Sequence, residues 1–218
     1  MISEKSIKFL KSIVLPAVIY LFLFNPLYSE QDQHISLTIG SILFSVGLSA
    51  VQLAIIFFVM IKFNHISLKE TGLFSFSYRN LLELIPSILL IYSFYFVALL
   101  ALLLATGSAE DPGIITIELH APLWILALMM LGVGYCEELF FRIYLVEAFG
   151  TVMKKKAAIL ISALLFALGH MYQGFLAVII IFFIALGFHW IYEKYRSLHV
   201  NAITHAVFDV VSVLLNGV

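Results

Sequence analysis

Charge is the scarcest property of this 218-residue chain: Asp, Glu, Lys and Arg make up only 11% of it. A soluble domain usually carries about 25%. With 63% hydrophobic residues and mean hydropathy +1.09, most of its surface must face lipid rather than water. The net charge of −1 leaves no basic footprint, which excludes nucleic acid as a partner. A single cysteine, Cys136, excludes an internal disulfide and a thiolate zinc site. Internal repeats, low-complexity tracts and a soluble domain are also lacking. The chain reads as one membrane domain, 1–218, of the all-α, polytopic helix-bundle class.

What is present is a series of apolar runs near the roughly 20 residues that cross a bilayer. They are expected near Lys11–Tyr28, Leu37–Ile61, Leu81–Thr106, Pro122–Tyr144, Ala157–Tyr172, Phe175–Tyr192 and Val200–Leu215. The fourth is interrupted by polar residues and the fifth is short, so seven spans are expected, or eight with a re-entrant piece. The first run contains Pro16, ends in Asn25-Pro26-Leu27-Tyr28 and shows no small-residue cleavage pattern. It is read as an uncleaved span.

Threading seven spans alternately puts eleven of the twelve basic residues on one side, among them Lys8, Lys62, Arg79, Lys154-Lys155-Lys156 and Lys194. The opposite loops hold Glu30, Asp32, Glu110, Asp111 and Glu118 and no Lys or Arg. The expectation is an N-terminus in the cytoplasm and a C-terminus outside. Arg142, alone, sits within an apolar stretch.

Ionisable groups at membrane depth cost at least about 2.5–3.5 kcal/mol each and mark functional or paired positions. The first three spans hold almost none, whereas the later ones hold Glu137, Glu138, Arg142, His170, His189, His205 and Asp209. On a helix, Glu138 and Arg142 share a face, and Asn201, His205 and Asp209 form a stripe. Glu137, rotated by about 100°, is free to meet another partner. Three polar stripes on three helices converge most economically on one pocket, where each charge finds a partner. A carboxylate and an imidazole sharing a water can activate it, and nearby donors can hold an oxyanion. Cys136, Ser162 and Ser212 are not set against any base, so a covalent nucleophile is not expected. Lys154–Lys156 reads as a topology signal touching anionic lipid, and His189 and His199 are expected at the interface.

Glu137-Glu138-Leu-Phe-Phe-Arg142, Phe166-Ala-Leu-Gly-His170 and His205-Ala-Val-Phe-Asp209 reproduce, in order, the EExxxR, FxxxH and HxxxN/D motifs of a known family. The chain resembles the CPBP (CAAX protease and bacteriocin-processing, or Abi) intramembrane proteases, which include the type II CAAX prenyl endopeptidases. Leu68-Lys-Glu-Thr-Gly72-Leu73 and Arg196-Ser197-Leu198 add softer agreement, and the resemblance spans about 66–216. It implies that Glu137 is the general base with His170 as its partner. It further implies that His205 and Asp209 complete the water or oxyanion pocket and that Glu138 and Arg142 orient the helix. Asp209 stands where many members have Asn, so it is either protonated or orients His205.

The resemblance leaves a divalent metal such as zinc open, with Glu137, His170 and His205 as ligands; metal-free water activation is the preferred expectation. The implied reaction is hydrolysis of a peptide bond in a membrane-tethered peptide or protein, prenylated or not, in a pocket opening towards the cytoplasm. The alternatives are a non-catalytic immunity or scaffold protein of the same fold and an ion-coupled transporter. Depth is the difficulty. A rise of about 1.5 Å per residue puts His170 roughly 20 Å above Lys156 and His205 only about 10 Å in. Tilt, a break near Gly132-Val133-Gly134, or a flat-lying lysine stretch would reconcile them.

Overall fold

A computed structural model describes residues 4–24, 34–73, 76–107 and 116–216. Among them the chain forms helices α1 (Glu4–Phe9), α2 (Leu15–Leu23), α3 (Ile39–Lys62), α4 (Tyr78–Thr106), α5 (Leu123–Glu137), α6 (Leu145–Gly150), α7 (Lys155–Leu168), α8 (Phe175–Tyr195) and α9 (Leu198–Asn216). Two π-helical segments, Leu10–Val14 and Glu138–Tyr144, run α1 into α2 and α5 into α6. Two short strands, β1 (His34–Thr38) and β2 (Thr116–His120), pair in parallel, with Ile35 opposite Ile117 and Leu37 opposite Leu119.

Six of these helical stretches are long and apolar enough to cross a membrane: Ser6–Leu23, Ile39–Lys62, Tyr78–Thr106, Leu123–Gly150, Phe175–Tyr195 and Leu198–Leu215. The protein is therefore a helical integral membrane bundle, but the expected seven to eight spans become six. The missing one is α7. Its 14 residues extend about 21 Å, short of the roughly 30 Å hydrocarbon thickness. The expected terminus of the first span, Asn25–Tyr28, and the acidic loop residues Glu30, Asp32, Glu110 and Asp111 lie outside the described residues.

Local signals explain the helix ends. Thr38 and Ser41 form a reciprocal capping box at the start of α3, and Ser77 and Asn80 form another at α4. Gly107 closes α4 in the left-handed conformation at φ 68°.

One end of the bundle gathers nearly all the positive charge. There Asn64 Nδ2 donates to the Lys11 carbonyl (3.2 Å), Ser12 meets Thr151 (2.6 Å) and Lys155 pairs with Glu193 (2.7 Å). The loop 68–72 lies against the α8–α9 turn so closely that a Cβ on Gly72, at φ +74°, would come 2.2 Å from the Arg196 carbonyl. The strand pair precedes α3 and α5 at the other end.

Core packing centres on the π-helical segment: Glu138 through Tyr144 are all buried. Here α5 approaches α9 so tightly that a Cβ on Gly134 would meet the Ala202 carbonyl oxygen at 2.7 Å. A small residue at a helix crossing permits such contact.

Candidate active site

The first motif sits at a change of helix type. α5 ends at Glu137 and the wider π-helical turn begins at Glu138, whose backbone N–H reaches both Gly134 and Tyr135 carbonyls. The break expected at Gly132–Gly134 thus lies about one turn later, inside the motif itself. π-Helical insertions of this kind often accompany functional sites.

The consequence is that two adjacent glutamates grip opposite nitrogens of one imidazole. Glu138 Oε1 accepts from His205 Nδ1 at 2.9 Å, while Glu137 Oε2 lies 3.5 Å from His205 Nε2. Glu138 has no capacity left for a substrate. Its other oxygen, Oε2, accepts from Asn201 Nδ2 (2.8 Å) and pairs with Arg142 Nε (3.0 Å), and both members of that ion pair are fully buried. The Arg142 guanidinium is then enclosed by rings, with Phe166 at 4.4 Å, Phe188 at 5.5 Å and Phe141 at 6.0 Å. Aromatic faces can stabilise a desolvated cation by about 2 kcal/mol, which suits terminal nitrogens that meet no hydrogen-bond acceptor among the described residues. Glu138 and Arg142 thus form a buried ion pair within the first motif.

His205 is fixed from every side. Phe188 stacks on it at 4.8 Å and Phe166 meets it edge-on at 5.8 Å. Because a carboxylate only accepts, the Nδ1 facing Glu138 carries a proton, and Nε2 is left to face Glu137 and Asp209 Oδ2, each at 3.5 Å. Asp209 is therefore set against His205.

His170 stands just past the end of α7. Its Nδ1 donates to the Phe166 carbonyl four residues back (2.9 Å), which directs Nε2 away from the helix. Glu137, His170, His205 and Asp209 all line one cavity of about 540 Å³. The four sequence-predicted site residues are thus brought together, although His170 makes no ion pair with the others.

The walls of the cavity come from α4, α5, α8 and α9, the turn after α7, Ser45 of α3 and the strand residues Ile35, Leu37 and Ile117, and Phe166 and Phe188 pack against His205. One expectation changes. His189, expected at the interface, is 4% exposed, because α8 continues for six more residues to Tyr195.

His199 is also tied inward. It bridges Tyr135 Oη (2.5 Å) and the Leu73 carbonyl (2.7 Å), linking α5, α9 and the loop after the 3₁₀ turn Leu68–Thr71. Nothing in the sequence signalled that clasp. Asn201 was visible only as one position of the α9 stripe, yet it holds Glu138 and the Phe188 carbonyl together. Cys136 is buried and its thiol donates to the Ser49 carbonyl (3.1 Å).

Glu137, His170 and His205 were the candidate metal ligands. Of these, His205 offers only Nε2. No group of three His, Cys, Asp or Glu side chains among the described residues is gathered closely enough to hold a metal ion. The donor set as placed does not fit one.

In comparison with known proteins, residues 119–211 match the family described as type II CAAX prenyl endopeptidase, Rce1-like. The matched segment contains all three motifs. No curated protein and no solved structure matches the chain.

Proposed function

With residues 119–211 carrying the Rce1-like type II CAAX prenyl endopeptidase domain, we propose that the protein is an intramembrane endopeptidase that hydrolyses a peptide bond with a water activated by Glu137. The supporting observation is the unequal use of two neighbouring carboxyls. Glu138 is 0% exposed and spent on Arg142, Asn201 and His205, whereas the Glu137 side chain is 17% exposed on a cavity shared with His170. A structural pair needs one glutamate, not two.

The chemistry follows from the tautomers. A water between Glu137 and His170 Nε2 gives its proton to Glu137 as its oxygen bonds to the scissile carbonyl carbon. His205, protonated on both nitrogens where it is set among Glu138, Glu137 and Asp209, donates from Nε2 to the developing oxyanion. Collapse breaks the C–N bond, and the proton on Glu137 passes to the leaving amine. Atoms and charge balance with water as the sole co-reactant. Eleven of the twelve basic residues belong to one set of loops, which supports an N-terminus in the cytoplasm. α9 runs away from that end after Arg196, which supports a C-terminus outside even though α7, too short to count as a span, makes one of the passages.

The test is cleavage of a membrane-tethered peptide library by the purified protein in lipid discs, with and without chelator. Wild type should release fragments, and Glu137→Gln should slow release by about 10²–10⁴-fold, the usual worth of a positioned base. Equal cleavage by both proteins, or none by wild type, ends the proposal.

A further inference from the structure

Two residues beyond His170, the turn that ends α7 carries another side chain into the site. The 3₁₀ turn Met171–Gln173 is pinned by its own backbone, with Gln173 N–H donating to His170 (2.9 Å) and Gly174 N–H to Met171 (2.9 Å). It stops at Gly174, whose φ of +98° favours glycine. This fixes Tyr172. Its ring stacks on that of His170, with centroids 6.0 Å apart and planes 26° from parallel. It lines the same cavity as Glu137, His170, His205 and Asp209, and its hydroxyl is close enough to feel the carboxyl groups of Glu137 and Asp209.

The hydroxyl is engaged on one side only. Gln173 Nε2 donates to the Tyr172 oxygen at 3.0 Å, and the phenolic proton meets no acceptor among the described residues. A hydroxyl that accepts a hydrogen bond is polarised and donates more strongly. Other uncharged polar groups on the wall are committed or turned elsewhere. Ser45 and Ser212 donate to the Ser41 and Phe208 carbonyls of their own helices, and the Tyr95 ring packs on Phe96 and Phe208.

Resting on the proteolytic reading above, we infer that Tyr172 is a second hydrogen-bond donor to the tetrahedral oxyanion, working beside His205, and that Gln173 positions its hydroxyl. An oxyanion has three lone pairs, and His205 Nε2 supplies a single donor to them. A phenol suits the second place because it is neutral at pH 7 and sets no further charge beside Glu137. Its bond to the neutral carbonyl of the bound peptide is weak and strengthens as charge develops on that oxygen. No proton changes hands in this step, so the balance of the hydrolysis is unaltered. A tyrosine of the membrane boundary turns its polar tip to the headgroups, whereas this one has its tip in a cavity lined by carboxyls.

The test removes one oxygen atom. Tyr172→Phe keeps the ring and its stack on His170, and Tyr95→Phe is the control hydroxyl on the same wall. Both are assayed in lipid discs on the peptide that wild type cleaves fastest from the membrane-tethered library, with kcat and KM measured separately. Loss of one oxyanion donor lowers kcat by about 10²–10³-fold. Tyr172→Phe should show that loss with KM within about twofold of wild type, and Tyr95→Phe should stay within about threefold in kcat. Gln173→Leu should lower kcat by about tenfold and add nothing to Tyr172→Phe, because it acts only through that hydroxyl.

A wild-type rate in Tyr172→Phe overturns the inference, as does a loss confined to KM or an equal loss in Tyr95→Phe. So does a further loss when Gln173→Leu is added to Tyr172→Phe, or a Tyr172→Phe melting temperature lowered by more than about 5 °C, which would make the hydroxyl structural. If wild type cleaves nothing, the proteolytic reading falls and this role with it. If Glu137→Gln is slow and Tyr172→Phe matches wild type, only the role of Tyr172 falls.

Discussion

Glu137→Gln and Glu138→Gln are the same chemical change at adjacent residues and should have opposite consequences. At Glu138 the amide keeps the size but loses the charge that answers Arg142 Nε at 3.0 Å. It also turns a donor towards Asn201 Nδ2 or His205 Nδ1, which themselves donate. Breaking one side of a fully buried ion pair costs about 3–5 kcal/mol. For a chain of this length, that loss lowers the melting temperature by about 6–20 °C. Glu137 stands 3.5 Å from its one imidazole partner and borders the cavity, so its loss should cost within about 1 kcal/mol. Cys136, buried at 1% exposure, supplies the assay: a thiol-reactive fluorophore reports its release on heating in detergent. Adding Arg142→Met to Glu138→Gln should recover part of the loss, because apolar replacement of a buried pair is often neutral. If Glu138→Gln melts within about 2 °C of wild type, or Glu137→Gln melts as low as Glu138→Gln, the division of labour between the two carboxyls is wrong.

Two further substitutions probe how the site is held. Gly134→Ala places a Cβ 2.7 Å from the Ala202 carbonyl; backbone cannot swing aside, so α5 and α9 separate at a cost of about 1–3 kcal/mol. Turnover should fall beyond what the melting shift explains, and unchanged turnover would refute the need for that contact. Asp209→Asn retains a polar partner for His205 Nε2 and should keep cleavage within about tenfold of wild type, whereas Asp209→Leu should lose about 10²-fold or more. Equal loss in both would show that charge rather than orientation matters there.

Bilayer physics made much of this architecture legible in the sequence. Apolar runs placed α3, α4, α8 and α9 to within a few residues, and the i, i+4 spacing of Glu138 and Arg142 foretold a pair that the π-helical turn preserves. The stripe on α9 likewise identified the helix that faces the carboxyls. Other features were hidden for specific reasons. β1 and β2 are five-residue alternations next to long apolar runs, too short to stand out against spans. The His199 clasp joins residues 64 and 126 positions apart, with a backbone carbonyl as one partner. Side-chain type carries no trace of that. Which rings pack against His205 was likewise hidden, because a chain with 20 phenylalanines gives no clue that Phe166 and Phe188 are the ones.

The short helix α7 links the fold to the chemistry. Fourteen residues from the lysine-bearing end bring the chain to Leu168 and then stop, so Gly169 and His170 turn within the bundle instead of passing through it. The 3₁₀ turn Met171–Gln173 follows, and only near-neighbour bonds such as His170 N–H to Ala167 (3.0 Å) and Gln173 N–H to His170 (2.9 Å) tie its backbone. Irregular backbone at membrane depth persists only where protein buries it or a water-filled cavity receives it. Tyr172 and Gln173 line the cavity that holds Glu137. On the proposed hydrolytic reading, water admitted by such a turn would also be the reactant that Glu137 activates, and a longer α7 would carry His170 away from the cavity it shares with Glu137, His205 and Asp209.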